Sequence, residues 1–207
     1  MGFYSKHVLP RLIDASCRNK DVTKLRQLVL PAAKGTVLEV GIGSGLNLPH
    51  YPREVAHLYG VEPSPELLQM ARRKMDGAAF PITLLNQTAE KIPLDDHSVD
   101  TVVMTWVLCS IVDDHAVLQE MKRVLKPGGR LLFLEHGLAP EPKIQSWQNL
   151  LTPIWKRIGG GCCLNKKIDV LISRADFRIA ELHSSYMPGL KPMTYVYRGF
   201  AERDLQL

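Results

Sequence analysis

From residue 36 onward, short runs of β-branched and aliphatic residues alternate with stretches whose apolar positions recur at helical spacing. The runs cover residues 36–40, 55–62, 82–87, 99–107 and 130–135. Each is almost continuously apolar, as a parallel strand buried on both faces has to be, so the pattern predicts five parallel strands. Between the second and third runs, SPELLQMARRKM predicts a crossover helix. Ser64 can cap it, Pro65 suits its first position, and Leu67, Leu68 and Ala71 share one face. Between the fourth and fifth, Asp113 or Asp114 opens a helix carrying Val117, Leu118, Met121, Val124 and Leu125, and the KPGG at 126–129 ends it.

The last third changes character. Ile144, Trp147, Leu150, Leu151, Ile154, Trp155 and Ile158 fall at helical spacing, with Pro153 expected to kink that helix or mark its restart. A second helix is predicted over 166–175. Strands near 177–186 and 193–200, joined by PGLKP, predict an antiparallel pair closing the sheet edge. Residues 5–30 carry two short helical patterns placed to cover a site. The fold class expected is α/β: a Rossmann-like doubly wound sheet of seven strands, mostly parallel with an antiparallel final strand, and helices on both faces. One domain over 1–207 is expected, made of a helical cap (1–34), a cofactor-binding core (35–136), a helical lid (137–176) and closing strands (177–207).

Length and composition agree with one globular unit. The chain has 207 residues, 45% hydrophobic and 23% charged, which argues against disorder and leaves too little for two full domains. The 26 Lys+Arg against 21 Asp+Glu give a formal charge of +5, a modest excess that permits an acidic partner without requiring one. There is no basic extension, no aromatic platform interleaved with arginine and no acceptor-base motif, so no nucleic-acid partner is expected. No run of 18 apolar residues occurs, and the opening MGFYSKHVLPRLID lacks a signal-peptide pattern, so neither a membrane span nor export is expected. The four cysteines (Cys17, Cys109, Cys162, Cys163) form no CxxC pair, which suits a reducing, cytoplasmic compartment. Adjacent Cys162 and Cys163 have no spaced partner pair, and the seven histidines are scattered, so no metal site is expected.

The sharpest local signal is VLEVGIGSGLNL at 37–48. Glu39 ends a strand, Gly41, Gly43 and Gly45 follow at alternate positions, and Asn47 lies just beyond. Such glycines let a backbone turn tightly and approach a ligand. A dinucleotide turn would read GxGxxG, but position 46 is Leu, and an acid two residues before the first glycine would repel a pyrophosphate. The same acid favours S-adenosylmethionine, which carries an ammonium and a cationic sulfur. Glu62, followed by Pro63, ends the second strand 17 residues after Gly45, where a carboxylate can accept from both hydroxyls of a ribose. Thr88, Ala89 and Glu90 follow the third strand, beside the place an adenine would occupy.

Through EVGIGSG, GVEPS, AEKIP, SVDTVVMTWVLCS and LKPGGRLLFLEH, the chain resembles the class I S-adenosylmethionine-dependent methyltransferases with a type 11 methyltransferase domain. The resemblance implies S-adenosylmethionine as donor, S-adenosylhomocysteine as product and no metal. Trp106, Val107 and an aromatic from the leading segment, Tyr4 with His7 nearby, are then expected to complete the donor site. Many relatives carry Asp where this chain has Thr88. A narrower likeness, through VVMTWVLCSI, LEHGLAP, the Trp147 helix ending in GGGCCLN, and YVYRGFAER, is to the methyltransferase-like 7 group of thiol S-methyltransferases. Members of that group begin with an apolar membrane anchor; no such run opens this chain, so membrane attachment is not expected to carry over.

Methyl transfer from a sulfonium is an in-line displacement, so alignment is the main task, and positioning alone supplies ~7–11 kcal/mol. A thiol acceptor must also lose its proton, because a free thiol with pKa ~8.5 is only a few per cent ionised at neutral pH. His136, at the end of the fifth strand, is the expected general base. Cys109, Trp147 and Cys163 are expected around the acceptor, Cys109 as pocket wall. Residues 141–178 carry seven basic and three acidic side chains, hence +4 of the total. With Trp147 and Trp155 this leaves two readings open, weak contact with a membrane surface or a solvated helix packed on the domain. A small thiol is the expected substrate. A phospholipid amine or a quinone-ring carbon is the alternative, and a noncatalytic cofactor-binding or membrane-surface module the reading outside enzymes.

Overall fold

The computed structural model describes Tyr4 and residues 8–203. His7 lies outside the described residues. The elements are α1 (Leu9–Cys17), α2 (Lys20–Val29), β1 (Gly35–Val40), β2 (Val55–Val61), α3 (Pro65–Met75), β3 (Ile82–Leu85), β4 (Val99–Thr105), α4 (Asp114–Val124), β5 (Leu125–His136), α5 (Pro142–Ile158), α6 (Ile168–Arg174), β6 (Phe177–Tyr186) and β7 (Tyr195–Arg203). The strands form one seven-stranded sheet in the order β3-β2-β1-β4-β5-β7-β6. Pairing is parallel from β3 through β5, and β7 runs antiparallel to both its neighbours. The last strand in sequence is therefore inserted between β5 and β6, and β6 takes the edge.

Alternate residues of the central strands feed two cores, one on each face. Leu38, Val40, Val102, Met104, Leu131 and Phe133 pack on one side with α4 and α6. Val37, Val103, Leu132 and Leu134 pack on the other with Leu30, Leu68 and Phe80. The helices start where their capping residues lie. Ser64 Oγ accepts from the Leu67 N–H at 3.2 Å, and Asp113 Oδ1 from the Ala116 N–H at 3.0 Å. Buried apolar side chains on α3 (Leu67, Leu68, Ala71) and α4 (Val117, Leu118, Met121, Val124) fix each against the sheet; each large one stabilises the fold by ~1.5–3 kcal/mol.

Two local expectations change. α5 continues through Pro153 as one 17-residue helix, so Pro153 does not mark a restart. β5 starts at Leu125 instead of Arg130, so the Lys-Pro-Gly-Gly expected to end the preceding helix belongs to the strand, with a register irregularity opposite Val99–Thr101. This doubly wound order puts the loops after β1, β2, β3 and β4 along one carboxyl edge, where a crevice opens.

Candidate active site

The turn after β1 forms the floor of a cavity of about 400 Å³. Gly41 has φ +68°, and a Cβ there would stand 2.3 Å from Val107 Cγ2, so no other residue fits. Gly43 also has a left-handed φ, +55°, but its missing side chain opens into free space and leaves its backbone bare on the cavity side. Gly45 does not line the cavity. It lets the turn pack on α3, where a Cβ would lie 3.2 Å from Ala71 Cα.

Glu39 is 1% exposed and fully engaged. Its Oε1 accepts from Asn47 Nδ2 and its Oε2 from Tyr51 Oη, both at 2.8 Å. Burial pushes its carboxyl up to about 7, against the pull of those two bonds and of Arg26. Asn47 Nδ2 also donates to Thr105 Oγ1 at 2.9 Å, and Asn47 Oδ1 accepts from Arg26 Nε at 2.8 Å. One amide thus ties β1, β4 and α2 together. Glu62 spans the turn and the start of α3. Its Oε2 accepts from the Gly43 N–H at 3.2 Å and its Oε1 from the Ser64 N–H at 2.9 Å. Burial raises its pKa, and the two backbone donors pull it back.

α1 closes one side. Ile13, Asp14 and Cys17 line the cavity, and Asp14 reaches across to the glycine turn at Ser44. Lys74 Nζ, from α3, donates to the Ser44 carbonyl at 2.6 Å and lies 3.4 Å from Asp14 Oδ1. This clasp was not foreseen; a single acid in a helical pattern resembles a solvent-facing residue.

Of the residues singled out from sequence, Glu39, Gly41, Gly43, Asn47, Glu62, Pro63, Thr88, Ala89, Glu90, Trp106 and Val107 line this one cavity. Several others do not. Tyr4 is half-exposed and donates to the Ile158 carbonyl at 2.8 Å, tying the leading segment to the end of α5. Trp147 is 55% exposed on α5, with Leu150, Ile154 and Ile158 on the same outer face. It does not line the cavity, and its helix packs its polar Gln148 inward, onto the Gly137 and Pro192 carbonyls. Of the expected lid, only Gly160 reaches the cavity wall.

Cys109, Cys163 and His136 lie behind the wall rather than on it. Glu135 organises this region. Fully buried, its Oε1 accepts from the Val107 and Leu108 N–H groups at 2.7 and 3.0 Å, and its Oε2 from the Cys109 N–H at 3.4 Å. The Cys163 N–H donates to the Cys109 carbonyl at 2.8 Å. His136 Nε2 lies 2.8 Å from Cys162 Sγ, and its ring meets Trp106 edge-on with centroids 6.1 Å apart. Burial works against a charged His136, and the Cys162 sulfur outweighs it, so the imidazole pKa rises. Hydrogen bonds from Cys109 and His136 hold the Cys162 thiol below its ordinary range despite its burial. Cys109, His136 and Cys162 therefore share one buried cluster, their ligand atoms all within 4.8 Å of one another. They come from two strand ends and a loop that converge here, although the sequence gives them no common spacing. Trp106 stands at φ +60° on the cavity wall, and its Nε1, like His136 Nδ1, is buried with no hydrogen-bond partner among the described residues.

Residues 38–133 match the family model described as a methyltransferase domain. The chain is 33% identical to human thiol S-methyltransferase TMT1B over 170 residues, covering 80% of this chain and 69% of the relative. The chain belongs to the S-adenosylmethionine-dependent methyltransferases. Rat thiol S-methyltransferase TMT1B is 36% identical over 151 residues, 71% of this chain and 62% of the relative, so this methyltransferase spans under two thirds of that protein's length. The fold is shared with a putative methyltransferase solved in complex with the Haloferax volcanii Trm112 methyltransferase activator. That match has a TM-score of 0.69 and 20% identity, over 97% of this chain and 96% of the other. Among the described residues, no helix of this methyltransferase is long and apolar enough to cross a membrane.

Proposed function

We propose that this methyltransferase transfers the methyl group of S-adenosylmethionine to the sulfur of a small thiol. The observation that carries the reading is the extent of the likeness to the thiol S-methyltransferases. At 170 residues, 80% of this chain, it runs well beyond the domain at 38–133.

The donor fits the cavity by charge and shape. Glu62, held by backbone donors from both sides, accepts from the ribose hydroxyls. Thr88, Ala89 and Glu90 border the adenine, with backbone groups serving where Thr88 replaces an acid. The bare turn at Gly41–Gly43, with Glu39 and Asn47 beneath it, takes the amino acid half and favours its ammonium over a phosphate. Trp106 and Val107 border the sulfonium end. A cavity of about 400 Å³ holds a nucleoside of this size.

Cys109 and Cys163 back the acceptor end through the loop that carries Gly160. His136 serves that end from behind Trp106. Its Nε2 lies 2.8 Å from Cys162 Sγ.

Incubating the protein with S-adenosylmethionine and, in turn, hydrogen sulfide, alkyl thiols, aryl thiols, phenols and phosphatidylethanolamine, then measuring S-adenosylhomocysteine, tests the acceptor. Turnover with thiols is expected. Turnover confined to phosphatidylethanolamine or phenols overturns the thiol reading in favour of an amine or oxygen acceptor; donor binding with no turnover on any of them favours a noncatalytic module.

A further inference from the structure

Two thiols and an imidazole, from the loop after β4, the end of β5 and the loop after α5, meet in a buried cluster that the donor cavity does not use. We propose that Cys109 Sγ, Cys162 Sγ and His136 Nε2 form a three-donor site for a thiophilic divalent cation, with Zn2+ as the ion the donor set suits best.

The geometry has the right scale. The three atoms lie within 4.8 Å of one another. Tetrahedral zinc, with Zn–S ~2.3 Å and Zn–N ~2.0–2.1 Å, places neighbouring donors about 3.4–3.8 Å apart. His136 Nε2 and Cys162 Sγ, now 2.8 Å apart, separate by about 0.7 Å when an ion takes the place of the proton between them. The donors are also held in advance. The Cys109 backbone is pinned by Glu135 and by the Cys163 N–H, and His136 ends a strand paired with Val196 of β7.

The chemistry selects the ion. Two thiolates and an imidazole suit zinc and softer ions, and disfavour magnesium and calcium, which require oxygen ligands. Glu135 is no competing ligand, because its oxygens are occupied by three backbone N–H groups. Both thiols are free. On binding, the Cys109 thiol gives one proton to solvent and the Cys162–His136 pair gives up the one it shares, leaving two thiolates balanced by the dication and a neutral imidazole with its N–H at Nδ1.

Three protein donors leave one tetrahedral position, the arrangement of catalytic rather than structural zinc. Trp106 and Ser110, both on the cavity wall, adjoin the cluster: Trp106 meets the His136 ring, and Ser110 Oγ lies 3.6 Å from Cys109 Sγ. Resting on the thiol reading above, an acceptor sulfur in that position would be held as thiolate, since a coordinating thiol is deprotonated outright.

The test is cobalt titration of the full chain after chelator treatment, read by absorption, with metal content of the untreated protein measured alongside. One equivalent of Co2+ is expected to give the thiolate-to-cobalt band and strong visible absorption of a tetrahedral sulfur-ligated site. Cys109→Ser and Cys162→Ser should each lose most of the band, and Cys163→Ser should keep it. Donor binding, measured on each variant, reports that the fold is intact. Absence of the band in the wild-type protein overturns the proposal without any variant, as does a band that survives both serine substitutions. Because the readout needs no acceptor, a cobalt-binding protein that methylates only amines would overturn the thiol reading and leave the site standing.

Discussion

Asp14 Oδ1 accepts a hydrogen bond from Ser44 Oγ at 2.5 Å, joining the first helix to the glycine turn proposed to carry the donor. Asp14 is buried and its pKa is lowered. Burial opposes this, but the Ser44 hydroxyl together with Lys74 and Arg18 prevails. Asp14→Asn and Ser44→Ala should each weaken donor binding about 10-fold, equivalent to ~1.4 kcal/mol. The double variant should lose no more than either alone. Calorimetry checks this, and additive losses would show that the two side chains act separately.

Glu62 and Gly43 should be indispensable to the donor but not to the fold. Glu62→Ala removes the acceptors placed at the ribose. Gly43→Val fills the open side of the turn and forces a branched residue to φ +55°, at ~1–2 kcal/mol. Circular dichroism should be unchanged and donor binding undetectable in both. Wild-type affinity in either would sink the placement of the donor.

Glu39 sets a pH dependence. Its carboxyl is raised from 4.5 to about 7, so it is largely neutral at pH 6 and ionised at pH 8. A cationic donor favours the ionised form, so affinity should rise as pH climbs through 7, with proton release on binding below that point. Without donor the sign reverses. A raised folded pKa contributes stability that is complete below 4.5 and lost as pH passes 7. Glu39→Gln should flatten both dependences. Urea unfolding and calorimetry at pH 5.5 and 8 would reveal it, and an unchanged slope in the variant would assign the titration elsewhere.

Glu135→Gln should be strongly destabilising. The amide keeps one acceptor oxygen and turns an NH2 toward backbone N–H groups already pointing at that position. A loss of about 3 kcal/mol is expected, since bonds to a charged acceptor are lost and a buried donor is left unpaired. Chemical denaturation measures it. A change within about 0.5 kcal/mol would mean that the loop after β4 holds its shape without the carboxylate.

What could be read from the sequence was whatever is local to a strand end. Glu39, the glycines and Glu62 lie within a few residues of the strands that place them, so spacing alone brought them together. Gly45 followed the same alternation but answers to α3 packing, which one strand's text does not reveal. Trp147 shares the helical spacing of the apolar residues of α5, yet the residue of that helix that faces inward is Gln148, drawn by two carbonyls. The Cys109–His136–Cys162 cluster was invisible because its members have no common spacing. They meet only once the sheet order sets β4 beside β5 and the loop after α5 folds back on them.

The position of β7 between β5 and β6 also governs how the molecule is made. A ribosome delivers β6 before β7, yet β6 has no partner until residues 195–203 emerge. Folding on the ribosome must therefore pause with the β5 border unzipped, and a chain shortened by that one strand would lose two seams of the sheet instead of one.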